Sequence, residues 1–150
     1  MTLRLVSWNA DRLLKRVPRR ILSDYGDVLG PQLQNEIAKP QFDWPRKTRR
    51  QNGQVVGSPR DIVDRGKFID SQTEPTVSDS DTGVEMTIGW TAPYAAEIYR
   101  GSQGGGFISS RGFEVVGDQP GRDWITPALE QLPFDAYFVQ RWGEIEGRGT

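Results

Sequence analysis

Four side chains could do chemistry together: Arg46, Lys47, Arg49 and Arg50, the densest basic cluster of the chain. Guanidinium and ammonium groups at this spacing meet phosphates without reading base sequence, or pair with carboxylates of a neighbouring subunit. Trp44 is the one aromatic residue beside them, and neither a helix-turn-helix nor an RNA-binding signature accompanies them. A subunit interface, a DNA contact and a solvated loop all remain open for this cluster.

Other chemistry is scarce. The chain has no His and no Cys, which removes Ser-His-Asp and Cys-His catalysis and the usual zinc ligand sets. Asp61 and Asp64 stand at turn signals, where Asp is expected for backbone reasons. Asp79-x-Asp81-x-Gly83 resembles the start of a calcium loop, but Trp90 occupies the position where a bidentate Glu should close it. The glycine run from Gly101 to Gly106 follows a helical turn and opens no helix, so it is no dinucleotide fingerprint. No cofactor and no metal is expected, and no enzymatic activity.

Composition bounds the rest. The 150 residues suit one domain with a real core. Apolar content is 35%, with five Trp and six Phe as anchors. Gly and Pro total 27, which predicts many turns and long loops. No run of about 18 apolar residues is present, and the opening residues carry no apolar signal-peptide core. Without cysteine there is no disulfide framework, and assembly in the cytoplasm is expected. Charge is split: residues 1–60 hold 12 Lys/Arg against 5 Asp/Glu, a net of +7, and residues 61–150 hold 7 against 15, a net of −8. Such a split suits a face turned to nucleic acid, copies stacked positive on negative, or merely a solvated helix followed by an acidic sheet.

The elements that must position these residues follow from periodicity. Residues 1–10 form a short apolar lead: an edge strand, an arm or the approach to a helix. From Asp11, Leu13, Leu14 and Val17, then Ile21, Leu22, Tyr25, Val28, Leu29, Leu33 and Ile37, trace an amphipathic helical stripe. Gly30-Pro31 should kink or split it, and Lys39-Pro40 should end it. Residues 40–60 read as an irregular basic loop in which Phe42 and Trp44 tuck back. Gly66 supplies an unusual backbone angle in a turn after Ile62 and Val63. Residues 68–78 read as a strand, with Pro75 at its edge or end. Asp79–Gly83 is a hairpin turn. Residues 84–90 alternate with a two-residue period and form a strand that buries Trp90. Tyr94–Tyr99 makes a helical turn, and a flexible Gly-rich loop spans about 101–112. A short hairpin lies within Phe107–Val116. Asp123 caps a helix from about Trp124 to Leu132, which resumes after Pro133 through Phe134, Phe138 and Trp142. The tail from Gly143 should fray. The expected fold is α+β: a small, mostly antiparallel sheet with a long N-terminal helix and a C-terminal helix packed on it.

The order of three motifs resembles the small tail-component and neck proteins of tailed bacteriophages. Their Val-Asp-Thr-Gly-Arg-Leu-x-x-Ser segment is matched by Val63-Asp64-Arg65-Gly66-Lys67-Phe68-Ile69-Asp70-Ser71. A strand leading to Tyr-Ala is matched through Trp90 into Pro93-Tyr94-Ala95-Ala96-Glu97-Ile98-Tyr99-Arg100-Gly101, and a closing segment by Gly121-Arg122-Asp123-Trp124-Ile125-Thr126-Pro127-Ala128-Leu129. The likeness covers about residues 19–132. Arg65 stands where Thr is usual, Asp123 where Pro is common, and the link from Pro40 to Pro59 is longer than expected. The resemblance implies a structural virion subunit of the head–tail joint, such as a neck, tail-completion or tail-terminator protein. It implies a six- or twelvefold ring between connector and tail proteins, with genome DNA passing through its lumen and no membrane contact. Asp64, Gly66, Phe68, Ser71, Trp90, Tyr94, Trp124 and Pro127 would be structural motif residues. Arg46, Lys47, Arg49 and Arg50 would face a subunit or the DNA channel.

Overall fold

In a computed structural model, residues 1–7, 16–44, 47–63, 66–81, 83–102, 107–108, 114–115 and 119–147 are described. Arg46, Asp64, Arg65, Phe113, Val116, the glycines at 104–106 and the helical start expected at 11–15 lie outside them.

The organising element is a helix, α1 (Arg16–Ala38). Its apolar stripe works as the spacing predicts: Ile21, Leu22, Tyr25, Leu29, Leu33 and Ile37 are all fully buried. Val28 is exposed instead, because it sits about 100° around the helix from Leu29 and off the stripe. The expected break at Gly30-Pro31 does not split the helix, which runs continuously through Pro31. One backbone donor is lost there. Burial on both sides outweighs that loss, because α1 packs on the sheet and also against the C-terminal helices.

The sheet is antiparallel, in the order β1 (Thr2–Ser7), β5 (Gly83–Gly89), β4 (Thr76–Ser80). Two short strands, β2 (Thr48–Arg49) and β3 (Val55–Val56), fall between β1 and β4 in sequence. The N-terminal lead is therefore an edge strand, pairing from Thr2↔Gly89 to Ser7↔Val84. Val84, Met86 and Ile88 of β5 are fully buried in one core with the stripe of α1. Glu85 is also buried, and Arg4 of the neighbouring strand forms an ion pair with it. The β4–β5 hairpin pairs as far as Ser80↔Gly83.

The strand expected over 68–78 is shorter and later. Ile69–Ser71 form a single 3-10 turn, Gln72 makes an isolated bridge with Trp90, the Thr73 N–H donates to the Gly89 carbonyl at 2.8 Å, and the continuous ladder with β5 begins at Thr76. Pro75 has no N–H to give the ladder, so the ladder starts just after it. Gly66 has φ +78°, the left-handed angle its turn requires. Its carbonyl accepts the Asp70 N–H at 2.8 Å.

Beyond β5, α2 (Ala95–Arg100) runs into β6 (Gly101–Ser102), which pairs with β9 (Gln119–Pro120). The start of the expected flexible loop is thus tied into a strand pair, and residues 103–106 lie outside the described part. The short hairpin is formed by β7 (Phe107–Ile108) and β8 (Glu114–Val115). Asp123 caps α3 (Ile125–Gln131) by accepting the N–H groups of Ile125 and Thr126, both at 2.9 Å on Oδ1. α4 (Phe134–Gly147) follows Pro133 and stays helical to Gly147, so the fraying expected from Gly143 does not occur over 143–147. Arg141 anchors its second half through ion pairs to Asp24 of α1 and to Glu144. The fold is α+β, with a small antiparallel sheet, a long N-terminal helix and C-terminal helices.

Candidate functional site

The basic segment is more ordered than an irregular loop. Thr48–Arg49 (β2) and Val55–Val56 (β3) pair as a two-stranded ribbon. Asn52-Gly53 supplies the turn, closed by Gly53 N–H to the Arg50 carbonyl at 3.0 Å and Arg50 N–H to the Gln54 carbonyl at 2.8 Å. The base of the segment is fixed by reciprocal backbone bonds between Phe42 and Arg60, both at 3.0 Å, and Phe42 is buried.

The described members of the basic run differ in their surroundings. Arg46 lies outside the described residues. Lys47 and Arg49 are exposed. Arg50 folds inward, and its Nη2 donates to Asp61 Oδ1 at 2.6 Å. The same oxygen accepts the Val63 N–H at 3.0 Å. Asp61 is therefore held by structural work, as its turn position suggested.

Beneath the ribbon lies a group that local sequence did not mark. The guanidinium carbon of Arg122 sits 3.6 Å from the centroid of the Trp44 ring, and that of Arg60 sits 4.2 Å from it. Arg122 is 2% exposed and Arg60 6%. Two cations thus share one indole inside the protein. Arg60 donates through Nε to the Asp61 carbonyl at 3.1 Å, and through Nη1 to Thr48 Oγ1. Arg122 is held by its backbone N–H on the Ile98 carbonyl at 3.0 Å. Gly121 allows this approach: a Cβ there would stand 2.7 Å from the Tyr99 carbonyl oxygen. Among the described residues nothing accepts a hydrogen bond from Nε or Nη2 of Arg122. Burial, and then repulsion from Arg60, lower its pKa to about 10. The one available signal was Trp44 beside the basic run; its stacking on Arg122 depends on a contact far along the chain.

The three motif segments meet elsewhere, around Trp124, which is fully buried. Its ring lies 5.0 Å from Phe68, 5.3 Å from Trp90 and 5.4 Å from Tyr99, each edge-on. Tyr94 joins through Phe68 at 6.2 Å. Ser71 closes its turn by donating its hydroxyl to the Phe68 carbonyl at 2.7 Å. Pro127 is half-buried inside the first turn of α3, where a missing N–H costs nothing. Asp64 lies outside the described residues.

A second buried charge has no local signature in the sequence. Glu36 of α1 is 0% exposed. It accepts from Gln32, Gln41 and Gln131 at 3.0, 2.9 and 2.8 Å, and from Lys39. Burial alone would raise its pKa, but the bonds from Lys39, Gln41 and Gln131 outweigh burial and hold it below the ordinary carboxylate value. Because Gln131 belongs to α3, this carboxylate joins α3 to α1.

A cleft of about 180 Å³ lies between α1 and residues 72–75, lined in part by Asp27, Gln34, Gln72 and Glu74. Among the described residues no group of three potential metal ligands occurs, and no helix is long and apolar enough to cross a membrane. No family model matches the sequence, and neither a curated protein nor a solved structure matches it.

Proposed function

We propose that the protein is a structural assembly subunit that closes into a homo-oligomeric ring, of the kind found at the neck or tail of a tailed phage. The observation that carries this reading is a row of aromatic rings along α4 that begins against Tyr25 of α1 and continues toward the end of the helix. Phe134, Phe138 and Trp142 stack in sequence, with ring centroids 5.7 Å apart at each step, yet no residue of α4 is fully buried. Val139 beside them is 71% exposed. An aromatic ladder left half-covered is an association surface.

A second copy is the occupant that charge favours. Near the ladder α4 carries exposed Asp135 and Glu146, whereas α1 carries exposed Arg16 and Arg20 and the ribbon region exposed Lys47 and Arg49. An acidic segment on one copy meeting a basic segment on the next would be a heterologous pairing, the kind that closes rings. The meeting of the three phage-like motifs around Trp124 supports the same reading, since it gives them the packing role that such a subunit needs.

Light scattering across protein concentration, followed by negative-stain imaging, tests this. The expected result is a closed ring with a hole wide enough for duplex DNA, and dissociation to monomer in Val139→Glu. A monomer at every concentration, with Val139→Glu indistinguishable from the parent, overturns the ring.

The ribbon favours one further reading, a nucleic-acid contact through Lys47 and Arg49, which it holds exposed on one strand and its approach. DNA binding that weakens with salt, with a log–log slope that falls by about 2 in the Lys47→Ala, Arg49→Ala double variant, would support it. Binding unaffected by these changes would exclude it.

A further inference from the structure

We propose that the cleft between α1 and residues 72–75 is a binding site for a guanidinium group at the end of a short alkyl chain. The cleft encloses about 180 Å³, room for that group and part of its stem. Its walls stand close because α1 carries no side chain at Gly26, where a Cβ would lie 2.6 Å from the Cβ of Pro75. Across the same gap Gln72 Nε2 donates to the Gly30 carbonyl at 2.9 Å.

Acceptors without donors gather in this cleft. With Nε2 of Gln72 committed to α1, Oε1 is the free end of the amide; it is out of contact with solvent and has no donor among the described residues. Asp27 and Glu74 are exposed, and neither makes an ion pair or a side-chain hydrogen bond among those residues. Pro31 adds a third kind of acceptor. It has no N–H to return to the Asp27 carbonyl four residues back, its partner in a regular helix. The backbone oxygen that this proline frees belongs to a residue of the cleft, as does the proline itself.

Two carboxylates, an amide oxygen and a helix carbonyl require a cation with several N–H donors. A guanidinium carries five in one plane, and its edge meets a carboxylate with two parallel bonds. A metal ion is poorly served, since among the described residues no group of three potential ligands occurs. The rings of Pro31 and Pro75 give the alkyl stem an apolar wall. A free alkylguanidine and an arginine side chain of a second copy share this chemistry.

The test uses the full chain, isotope-labelled, at neutral pH. Propylguanidinium chloride is titrated in while NMR follows the amide signals of residues 72–74 and the side-chain amides of Gln34 and Gln72. These signals should shift together and saturate with a single Kd. Propylurea has the same shape without the charge, and tetramethylammonium has the charge without N–H groups; each should bind at least about tenfold more weakly. Asp27→Asn and Glu74→Gln alter exposed side chains, so the fold should persist, and each should raise Kd about tenfold. Shifts that do not saturate, equal binding of either control compound, or a Kd unaltered in both variants overturns the site. A further arm separates the sources. If the same signals shift on raising protein concentration alone, and Asp27→Asn abolishes that shift, the natural occupant is an arginine of a second copy; signals that ignore protein concentration identify a free alkylguanidine.

Discussion

The hydroxyl of Tyr25, in the middle of α1, donates to the Leu132 carbonyl 2.6 Å away. This single bond fixes the corner between α3 and α4 to the central helix. Phe134 and Tyr137 enclose the same ring, each 5.1 Å from it. Removing the hydroxyl in Tyr25→Phe should cost about 1 kcal/mol in denaturant unfolding, since the Leu132 carbonyl loses its partner while the packing stays. A variant as stable as the parent would place the corner's stability in the ring contacts alone.

Tyr25 also makes stability depend on alkaline pH. Burial, and then Tyr137, push its pKa from 10 up to about 12. Between those values the unfolded chain has lost the phenolic proton and the folded chain keeps it. Stability is therefore full below about pH 10 and declines toward pH 12, by at most ~1.4 kcal/mol per pH unit for this group. Tyr25→Phe should flatten that decline, leaving a remainder from Tyr137, whose pKa burial also raises. An unaltered slope in the variant would show that Tyr25 does not titrate this way.

Glu36 works in the opposite sense. Its pKa is held below 4.5 in the folded protein, so its contribution is present above that value and is lost as pH falls through the lower, folded value. Glu36→Gln should weaken folding by about 1–3 kcal/mol at neutral pH, because several donors lose a charged acceptor. The variant should also show a shallower loss of stability in acid. Equal acid sensitivity in both proteins would assign that loss to other carboxylates.

Gly66 combines a backbone demand with a steric one. At φ +78° any other L-residue is strained, and a Cβ would lie 3.2 Å from Asp70 Oδ2. Gly66→Val should cost more than the ~1–2 kcal/mol of a left-handed L-residue, and Gly66→Ala close to that figure. Urea midpoints of the two variants check the order; Val no worse than Ala would show that the turn relaxes.

The parts of this fold that sequence makes legible are those written in local periodicity. The four-residue steps from Tyr25 to Ile37 and the alternation of Val84, Met86 and Ile88 specify α1 and β5 because each burial decision repeats along one element. Pro31 misleads, because tertiary burial keeps the helix whole through it, whereas Pro75 is a sound signal: it stands beside the start of β4, an edge strand of the sheet. The pairing of Trp44 with Arg122 and of Glu36 with Gln131 has no local signature, because each partner arrives from a distant segment. The basic run was visible as charge, but not that its members would divide between solvent and a buried carboxylate.

That division is itself testable. Arg50 donates to Asp61 at 2.6 Å with both side chains mostly buried, whereas Lys47 is exposed. Truncating Arg50 leaves the mostly buried Asp61 without this cation, and hydrogen bonds to charged groups are worth about 1.5–3 kcal/mol. Arg50→Ala should therefore destabilise by about that amount in urea unfolding, while Lys47→Ala should stay within about 0.5 kcal/mol of the parent. Asp61→Asn supplies the cross-check. If the pair acts as a unit, the double variant Arg50→Ala, Asp61→Asn should cost clearly less than the sum of the two single changes. Strict additivity, or a loss in Lys47→Ala equal to that in Arg50→Ala, would mean that the basic segment behaves as one solvated run after all.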